Sequence, residues 1–335
     1  MLTEAAQAAD VVQAQLDGNA TVVADIGKEL RARRPRMIIT CARGSSDHAA
    51  TYAKYLFESS TGLFTASAAP SIHSIYKRKM DFADSICIVI SQSGASPDLL
   101  SVASAAKEGG AFVVALVNVE RSPLAELAHR VLPLRAGAET SVAATKSFIA
   151  SLSALAHLVS AWQSDSELLS ALKNAPGLLQ RAWESDWSPA IERIAACNSM
   201  FVLGRGVGLG IAQEAALKFK EVCGLHAEAF SSAEVLHGPI AIAGAAFPIL
   251  VFAQNDGTKP GLDELIDKLA KRNVSLITAG ARHARAVNLP TPSAHPAIEP
   301  LIRILSFYRM ANNLSVRLKL DPDRPPFLQK VTATI

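Results

Sequence analysis

Three ionisable residues within one helical stretch have a spacing suited to acid–base chemistry. Glu214, Lys218 and Glu221 lie four and three positions apart in residues 211–223, IAQEAALKFKEVC. In an α-helix this spacing places all three side chains on one face, here between apolar neighbours. A partly desolvated carboxylate beside a cation is suited to moving a proton between adjacent sugar carbons. The same spacing fits a surface ion pair contributing about 0.2–0.5 kcal/mol, and the residues alone leave both interpretations open.

A second candidate segment is rich in hydroxyl groups. Residues 91–96, SQSGAS, lie between an apolar run and a helix that is predicted to begin at Pro97. The free N–H groups of a first helical turn, with serine hydroxyls beside them, can bind a phosphate dianion without any lysine. Helix capping explains Ser96 but not three serines. Gly44-Ser45-Ser46 follows an earlier strand in the same way, and we expect it to face the same crevice.

Two further residues are candidates because of the segments that carry them. His237 stands in LHGP, where glycine and proline disfavour regular helix, and a loop histidine is either structural or catalytic. Lys330 lies on the tail DPDRPPFLQKVTATI, whose prolines exclude both a helix and a central strand. A tail lysine is usually a solvated charge. It can also close over a site and form an imine with a sugar carbonyl.

The elements that must position these residues alternate regularly between strand and helix. Apolar runs at 36–41, 85–90, 112–119 and 131–134 predict strands, and a long helix is predicted from about 142 to 163. After a helical connector at 165–196, the scheme repeats with strands at 199–204, 247–254 and NVSLITAG and a helix at 295–316. We therefore predict an α/β protein with two tandem doubly wound parallel sheets, each a flavodoxin-like three-layer αβα domain. The predicted domains are residues 20–165 and 190–320, with a C-terminal tail, 321–335, over the active site.

The repeat separates the two halves functionally. Residues 252–256, FAQND, correspond to residues 90–94, ISQSG, at the end of a strand in each copy. Asp256 replaces the glycine of the first copy, and its carboxylate would repel a phosphate. The sequence therefore predicts a phosphate site in the first half alone.

Composition excludes several other classes of function. Half of the 335 residues are hydrophobic, and the net charge of +3 comes from scattered basic residues, which gives no footprint for nucleic acid. No signal peptide or membrane-spanning run is recognisable, so we expect a cytoplasmic protein without a membrane partner. The four cysteines show no CxxC spacing and the eight histidines form no cluster, so neither a metal nor another cofactor is predicted.

Six motifs in order resemble the isomerase half of glucosamine-6-phosphate synthase, a pair of sugar isomerase (SIS) domains. They are TCARGSSDHA, ISQSGASPD, AETSVAATKSF, EAALKFKE, AEAFSSAEVLHGP and DPDRPPFLQKVTAT, and the resemblance runs from about residue 20 to the end. It implies a phosphate held by Ser46, Ser91, Gln92, Ser93 and Ser96, and a sugar lined by Val142 and Ala144. It also implies that Glu221 shuttles a proton between C1 and C2, while Glu214 and Lys218 support its helix. Lys330 is implied to meet the open-chain carbonyl. His237 is implied to open the sugar ring from the neighbouring subunit of an obligate homodimer.

Three residues depart from the family pattern. Members usually have serine at Ala144 and threonine at Ser96, and Arg43 stands in a loop that is commonly small and uncharged. We expect these changes to alter which substituents are accepted on the sugar.

The sequence begins without the glutaminase domain of the synthase, so no channelled ammonia is expected. We therefore favour hydrolysis of glucosamine 6-phosphate to fructose 6-phosphate and ammonia, the same acid–base chemistry run backwards. Isomerisation or an ammonia-dependent synthesis on another hexose phosphate is the enzymatic alternative. A phosphosugar sensor without catalysis is a further one, but it would not need Glu221, His237 and Lys330 together.

Overall fold

A computed structural model of the chain describes residues 1–245 and 247–330. The last part of the predicted tail, residues 331–335, lies outside the described residues. The chain forms two compact units, each containing one sheet. The first-sheet unit comprises residues 10–139 and 146–173 with Gln329 and Lys330, and the second-sheet unit comprises residues 1–9, 140–145 and 174–328.

The described part of the chain contains ten strands and thirteen α-helices. The strands are β1 Met37–Cys41, β2 Thr65–Ser67, β3 Ser85–Ser91, β4 Phe112–Val117, β5 Arg130–Pro133, β6 Ser199–Gly204, β7 His226–Ser231, β8 Pro248–Phe252, β9 Ser275–Ala279 and β10 Val287–Leu289. The helices are α1 Leu2–Ala6, α2 Ala8–Arg33, α3 Ser45–Thr61, α4 Ser71–Ser74, α5 Pro97–Glu108, α6 Pro123–Leu127, α7 Lys146–Gln163, α8 Ser166–Lys173, α9 Ala175–Glu184, α10 Ser188–Ala195, α11 Gly208–Cys223, α12 Lys259–Lys271 and α13 Glu299–Arg317.

The first sheet is entirely parallel, with strand order β2-β1-β3-β4-β5. All seven residues of β3 are buried, which is typical of a parallel strand covered by helices on both faces. The strand order reverses between β1 and β3, where ligands of such sheets bind. Cys41 at the end of β1 pairs with Val89 near the end of β3, so the loops that follow these strands emerge side by side.

The second sheet has the same topology. Its order, β10-β9-β8-β6-β7, is again parallel throughout and reverses between β6 and β8. β3 and β8 are the third strand of their respective sheets, as the alignment of residues 90–94 with 252–256 requires. The predicted pair of doubly wound parallel sheets is therefore confirmed.

Several element boundaries differ from the prediction. Helix α7 begins at Lys146 rather than near residue 142, because residues 142–145 form an irregular segment. Strands β2, β7 and β10 were not predicted, since two have only three residues and all three lie at or beside a sheet edge where burial is incomplete. Edge strands of this kind lack the continuous apolar run that identifies the central strands. No helix in the described ranges combines the length and apolarity needed to cross a membrane.

A buried histidine in the first-sheet unit should make the stability of the fold depend on pH. His157 on α7 is 6% exposed, and its Nδ1 has no hydrogen-bond partner among the described residues. Burial, with a smaller contribution from Lys173, lowers the pKa of His157 to about 4. In the unfolded chain His157 binds a proton below the ordinary histidine pKa of 6.5, whereas in the folded chain it remains neutral until the pH approaches 4.

We therefore expect His157 to reduce the free energy of unfolding as pH falls from 6.5 to about 4. The full effect is roughly 3 kcal/mol, and stability is regained as pH rises. Urea unfolding at pH 4.5 and 7 should show a smaller pH-dependent loss for His157→Leu than for the wild-type chain. Equal losses in the two proteins would contradict this assignment.

Candidate active site

The loop after β3 forms a tight hydroxyl-lined turn in the first-sheet unit. The Ser91 Oγ accepts a hydrogen bond from the Gly94 N–H at 3.1 Å, and the Ser93 Oγ accepts one from the Ala95 N–H at 3.4 Å. Gly94 has a φ of +63°, and a Cβ there would lie 2.2 Å from the Ser122 Oγ. Both the conformation and the close approach require glycine. The turn is thus held in one shape with its backbone amides concentrated near a helix start.

The predicted cap of α5 is only partly realised. Ser96 occupies the N-cap position before Pro97, but its side chain makes no capping hydrogen bond. Its hydroxyl therefore remains available to a ligand. After the neighbouring strand β1, Ser46 lies in the first turn of α3, and Gly44 precedes this helix with a φ of +55°. Two helix N-termini with serine hydroxyls thus start at the switch point of the first sheet, which is an arrangement suited to an anion.

The equivalent loop in the second sheet is occupied by carboxylates. The Asp256 Oδ1 accepts a hydrogen bond from the Thr258 N–H at 2.8 Å, and the Glu299 Oε2 accepts one from the Asn255 N–H at 2.9 Å. These oxygens use amide donors that would otherwise face an anion. In the first repeat the amides of Gly94 and Ala95 bond to serine hydroxyls instead, so the two loops differ in the charge of their hydrogen-bond acceptors.

The ionisable triad of α11 is a packed cluster. The Lys218 Nζ lies 3.4 Å from the Glu214 Oε1 and also contacts the Glu221 carboxylate. The Tyr308 hydroxyl, from α13, donates a hydrogen bond of 3.0 Å to the Glu214 Oε1. The side chains of Lys218 and Glu214 are 1% and 0% exposed. An ordinary surface ion pair, the alternative that the residues left open, is thereby excluded.

The charges in this cluster are strongly coupled. Burial alone would lower the pKa of Lys218, but the carboxylates of Glu214 and Glu221 outweigh it and hold that pKa above its ordinary value. Lys218 is thus a fixed cation under ordinary conditions. Glu221 retains 18% exposure and is the most accessible member of the triad. An accessible carboxylate against a buried ammonium is what a proton shuttle requires.

The tail lysine contacts a buried acid within the first-sheet unit. The Lys330 Nζ donates to the Glu139 Oε2 at 3.0 Å, and the Glu139 side chain is fully buried. Ser147, at the start of α7, donates from its Oγ and its N–H to the same carboxylate at 2.6 and 3.2 Å. Lys330 is therefore paired with a buried carboxylate, whereas a tail lysine is usually solvated.

The remaining candidates lie in the second-sheet unit. Val142 and Ala144 belong to the irregular segment before α7, and the Val142 N–H donates to the Asp323 carbonyl at 3.4 Å. His237 ends a short 3₁₀ turn, Glu234–His237, and is exposed.

Glu221 and His237 lie on opposite sides of β7 in the chain order. Glu221 is near the end of α11, just before β7 begins, whereas His237 follows the end of this strand. A six-residue strand is about 20 Å long. No hydrogen bond or ion pair joins the two side chains, both of which the structure describes. The described contacts of one chain therefore do not join these two candidates.

Three contact residues were not identified from the sequence. Glu139 lies in a quoted motif, AETSVAATKSF, but a single glutamate gives no local signal of its lysine partner. Asp98 and Tyr308 are buried polar partners of Arg43 and Glu214, and each is distant in sequence from the residue that it contacts. Long-range pairs of this kind are defined by the packing of elements and not by spacing.

Comparisons with known proteins identify the family of the chain. The SIS domain model matches residues 32–161 and 193–279. A glutamine–fructose-6-phosphate aminotransferase (isomerizing) of Pyrobaculum aerophilum is 34% identical over an alignment of 284 residues that covers 79% of this chain and 46% of that relative. The chain spans about half the length of the curated relatives that it matches.

Two solved structures extend the likeness to the whole fold. A proposed phosphosugar isomerase from Silicibacter pomeroyi DSS-3 is 41% identical with a TM-score of 0.93, covering 96% of this chain and 99% of that one. The C-terminal domain of glucosamine-fructose-6-phosphate aminotransferase from Francisella tularensis is 25% identical with a TM-score of 0.87, covering 97% of each chain. The resemblance expected from the six motifs is confirmed, and the chain belongs to the SIS domain family.

Proposed function

We propose that the chain is a phosphosugar isomerase that deaminates glucosamine 6-phosphate. The balanced reaction converts glucosamine 6-phosphate and water to fructose 6-phosphate and ammonia. A proton leaves C2 of the open-chain aldose and one is delivered to C1, which yields the ketose-level imine. Water then adds to C2 and the C–N bond breaks, so that ammonia leaves with the proton it requires.

The observation that carries this proposal is the Glu214–Lys218–Glu221 cluster. Glu221 is the partly exposed carboxylate of a charge cluster whose other two members are buried, so contacts hold its side chain while part of it stays accessible. The Lys218 ammonium contacts the Glu221 carboxylate, and a carboxylate is the group that removes a proton from carbon in general base catalysis. A purely structural ion pair would not need the third, accessible acid.

The first-sheet unit, taken by itself, offers features that suit a phosphosugar. The serine loop after β3 and the start of α3 offer amide and hydroxyl donors for a phosphate. The Lys330 ammonium, held 3.0 Å from the Glu139 oxygen, can donate a hydrogen bond to the carbonyl oxygen of the open-chain sugar. The Pyrobaculum relative, whose name combines fructose 6-phosphate, amino transfer and isomerisation, supports a phosphohexose substrate and chemistry at a C–N bond.

We further propose that the working enzyme is a homodimer whose His237 acts in the neighbouring subunit. The placement of Glu221 before β7 and of His237 after it, with no described contact between them, supports this. The surface beside His237 is also apolar, since Leu236 and Ile242 are 42% and 64% exposed. Exposed large apolar side chains beside a candidate catalytic residue fit a protein interface.

The test is an assay of the purified chain with glucosamine 6-phosphate, measuring ammonium and fructose 6-phosphate in parallel. We expect equimolar release of the two. Synthesis from fructose 6-phosphate and ammonium without the hydrolytic reaction would instead support the synthase alternative. Interconversion of hexose phosphates without ammonium would support a plain isomerase, and phosphosugar binding without turnover would support a sensor.

A further inference from the structure

Arg43 is anchored beside the serine loops by a buried acid. Its Nε donates a hydrogen bond of 2.8 Å to the Asp98 Oδ2. The Asp98 side chain is fully buried in the first turn of α5, whereas the Arg43 side chain is 51% exposed. One end of this arginine is thus fixed inside the first-sheet unit and the other end faces outward.

The bond through Nε orients the guanidinium and leaves its two terminal nitrogens for other partners. Because the group is planar, a bond through Nε fixes the plane in which the terminal nitrogens lie. Among the described residues, neither Nη1 nor Nη2 has a hydrogen-bond partner. A purely structural role for Arg43 explains the bond to Asp98 but not these exposed donors. They are the atoms that bind phosphate oxygens in bidentate arginine contacts.

The position of Arg43 places these donors at the switch point of the first sheet. The Arg43 carbonyl accepts a hydrogen bond from the Ser46 N–H at 3.1 Å, so Arg43 directly precedes the first turn of α3. Asp98 lies two residues after Ser96. The ion pair therefore joins the loop after β1 to the loop after β3, which are the two loops assigned to the phosphate.

The charge of Asp98 would otherwise oppose an anion there. Its Oδ1 accepts the Leu99 N–H at 2.9 Å and so occupies one of the amide donors at the start of α5. A lone buried carboxylate at this position would repel a dianion. Arg43 neutralises Asp98 and also provides donors of its own.

We infer that Arg43 binds the phosphate of the substrate and is a specificity-determining residue of this site. This inference rests on the proposed phosphosugar function. The site then recognises phosphate by a fixed cation as well as by hydroxyl and amide groups.

The experiment measures binding of a hexitol 6-phosphate, which carries the phosphate but has no carbonyl to react. In isothermal titration calorimetry, Arg43→Gln should weaken this binding roughly tenfold to hundredfold, as expected for loss of a charge-assisted contact. Added salt should weaken binding to the wild-type chain more than binding to the variant. The matched control is Arg130→Gln. Arg130 is 49% exposed, pairs with Glu29 and begins β5, which is an edge strand of the same sheet.

A double variant separates direct contact of Arg43 with the phosphate from neutralisation of the Asp98 charge. Combining Arg43→Gln with Asp98→Asn also removes the negative charge at position 98, which protects the fold against a buried carboxylate without the arginine. Binding that stays weak in the double variant supports direct contact with phosphate. Wild-type affinity in either the single or the double variant overturns the inference. If the wild-type chain itself does not bind the hexitol 6-phosphate, the proposed function fails and not the role of Arg43 alone.

Discussion

Replacing Glu221 with glutamine should lower kcat for glucosamine 6-phosphate by about 10²–10⁴-fold, the usual contribution of a general acid–base group. Glutamine has nearly the same shape, and its carbonyl oxygen can still accept a hydrogen bond from the buried Lys218 ammonium. The variant therefore keeps the packing of α11 but cannot take a proton from carbon. The most direct readout is exchange of the C2 hydrogen with deuterated water, which should fall with kcat.

Binding of the hexitol 6-phosphate should be nearly unchanged in Glu221→Gln, because the phosphate contacts lie in the first-sheet unit. An unchanged melting temperature would exclude unfolding as the cause of lost activity. Full retention of hydrogen exchange at C2 would remove Glu221 from the proton-transfer role and leave the cluster a structural one.

The same variant tests the shared site of the proposed dimer. Mixing inactive Glu221→Gln chains with inactive His237→Asn chains produces hybrid dimers in which one of two sites has both residues intact. If subunits exchange freely, about a quarter of wild-type activity should return, as the two-fold symmetry of a dimer requires. Mixtures that remain inactive although hybrids form would contradict the shared site.

The central architecture was accessible from the sequence because it depends on local and repeated patterns. Buried parallel strands such as β3 are continuous apolar runs, and the order of strand, polar loop and helix predicted both sheets. The face shared by Glu214, Lys218 and Glu221 followed directly from helical periodicity. Their burial did not, because it depends on α13 packing against α11 and bringing Tyr308 to Glu214.

Contacts between residues distant in the chain account for the rest. Glu139 and Lys330 are 191 positions apart, and no spacing rule connects them. Arg43 was recognisable from the sequence as an unusual charge in its loop, but its anchor was not. The anchor depends on the register of β1 against β3, which brings the two following loops together. Sequence patterns thus identified the candidate groups, while pairing of the elements determined their partners and environment.

Replacing Lys218 with methionine should reduce the free energy of unfolding by about 3–5 kcal/mol, because it removes one partner of a buried ion pair. Methionine approximates the volume of lysine, so a cavity is not the main cause of the loss. The Glu214 carboxylate would remain fully buried with the Tyr308 hydroxyl as a hydrogen-bond donor but without the adjacent ammonium. Urea unfolding near pH 7 measures the difference. The control is Lys220→Met on the exposed side of the same helix, where a change within about 0.5 kcal/mol is expected.

Two comparisons distinguish an orphaned charge from simple loss of packing in Lys218→Met. Burial without a cation should raise the pKa of Glu214, so the variant should recover stability relative to wild type as pH is lowered and Glu214 takes up a proton. Adding Glu214→Gln should restore much of the lost free energy, because the amide oxygen still accepts the Tyr308 hydroxyl while the charge is absent. A double variant no more stable than Lys218→Met would show that packing, and not the uncompensated carboxylate, dominates. Recovery in the double variant would instead show that the charge balance of this cluster, and not its packing alone, stabilises the fold.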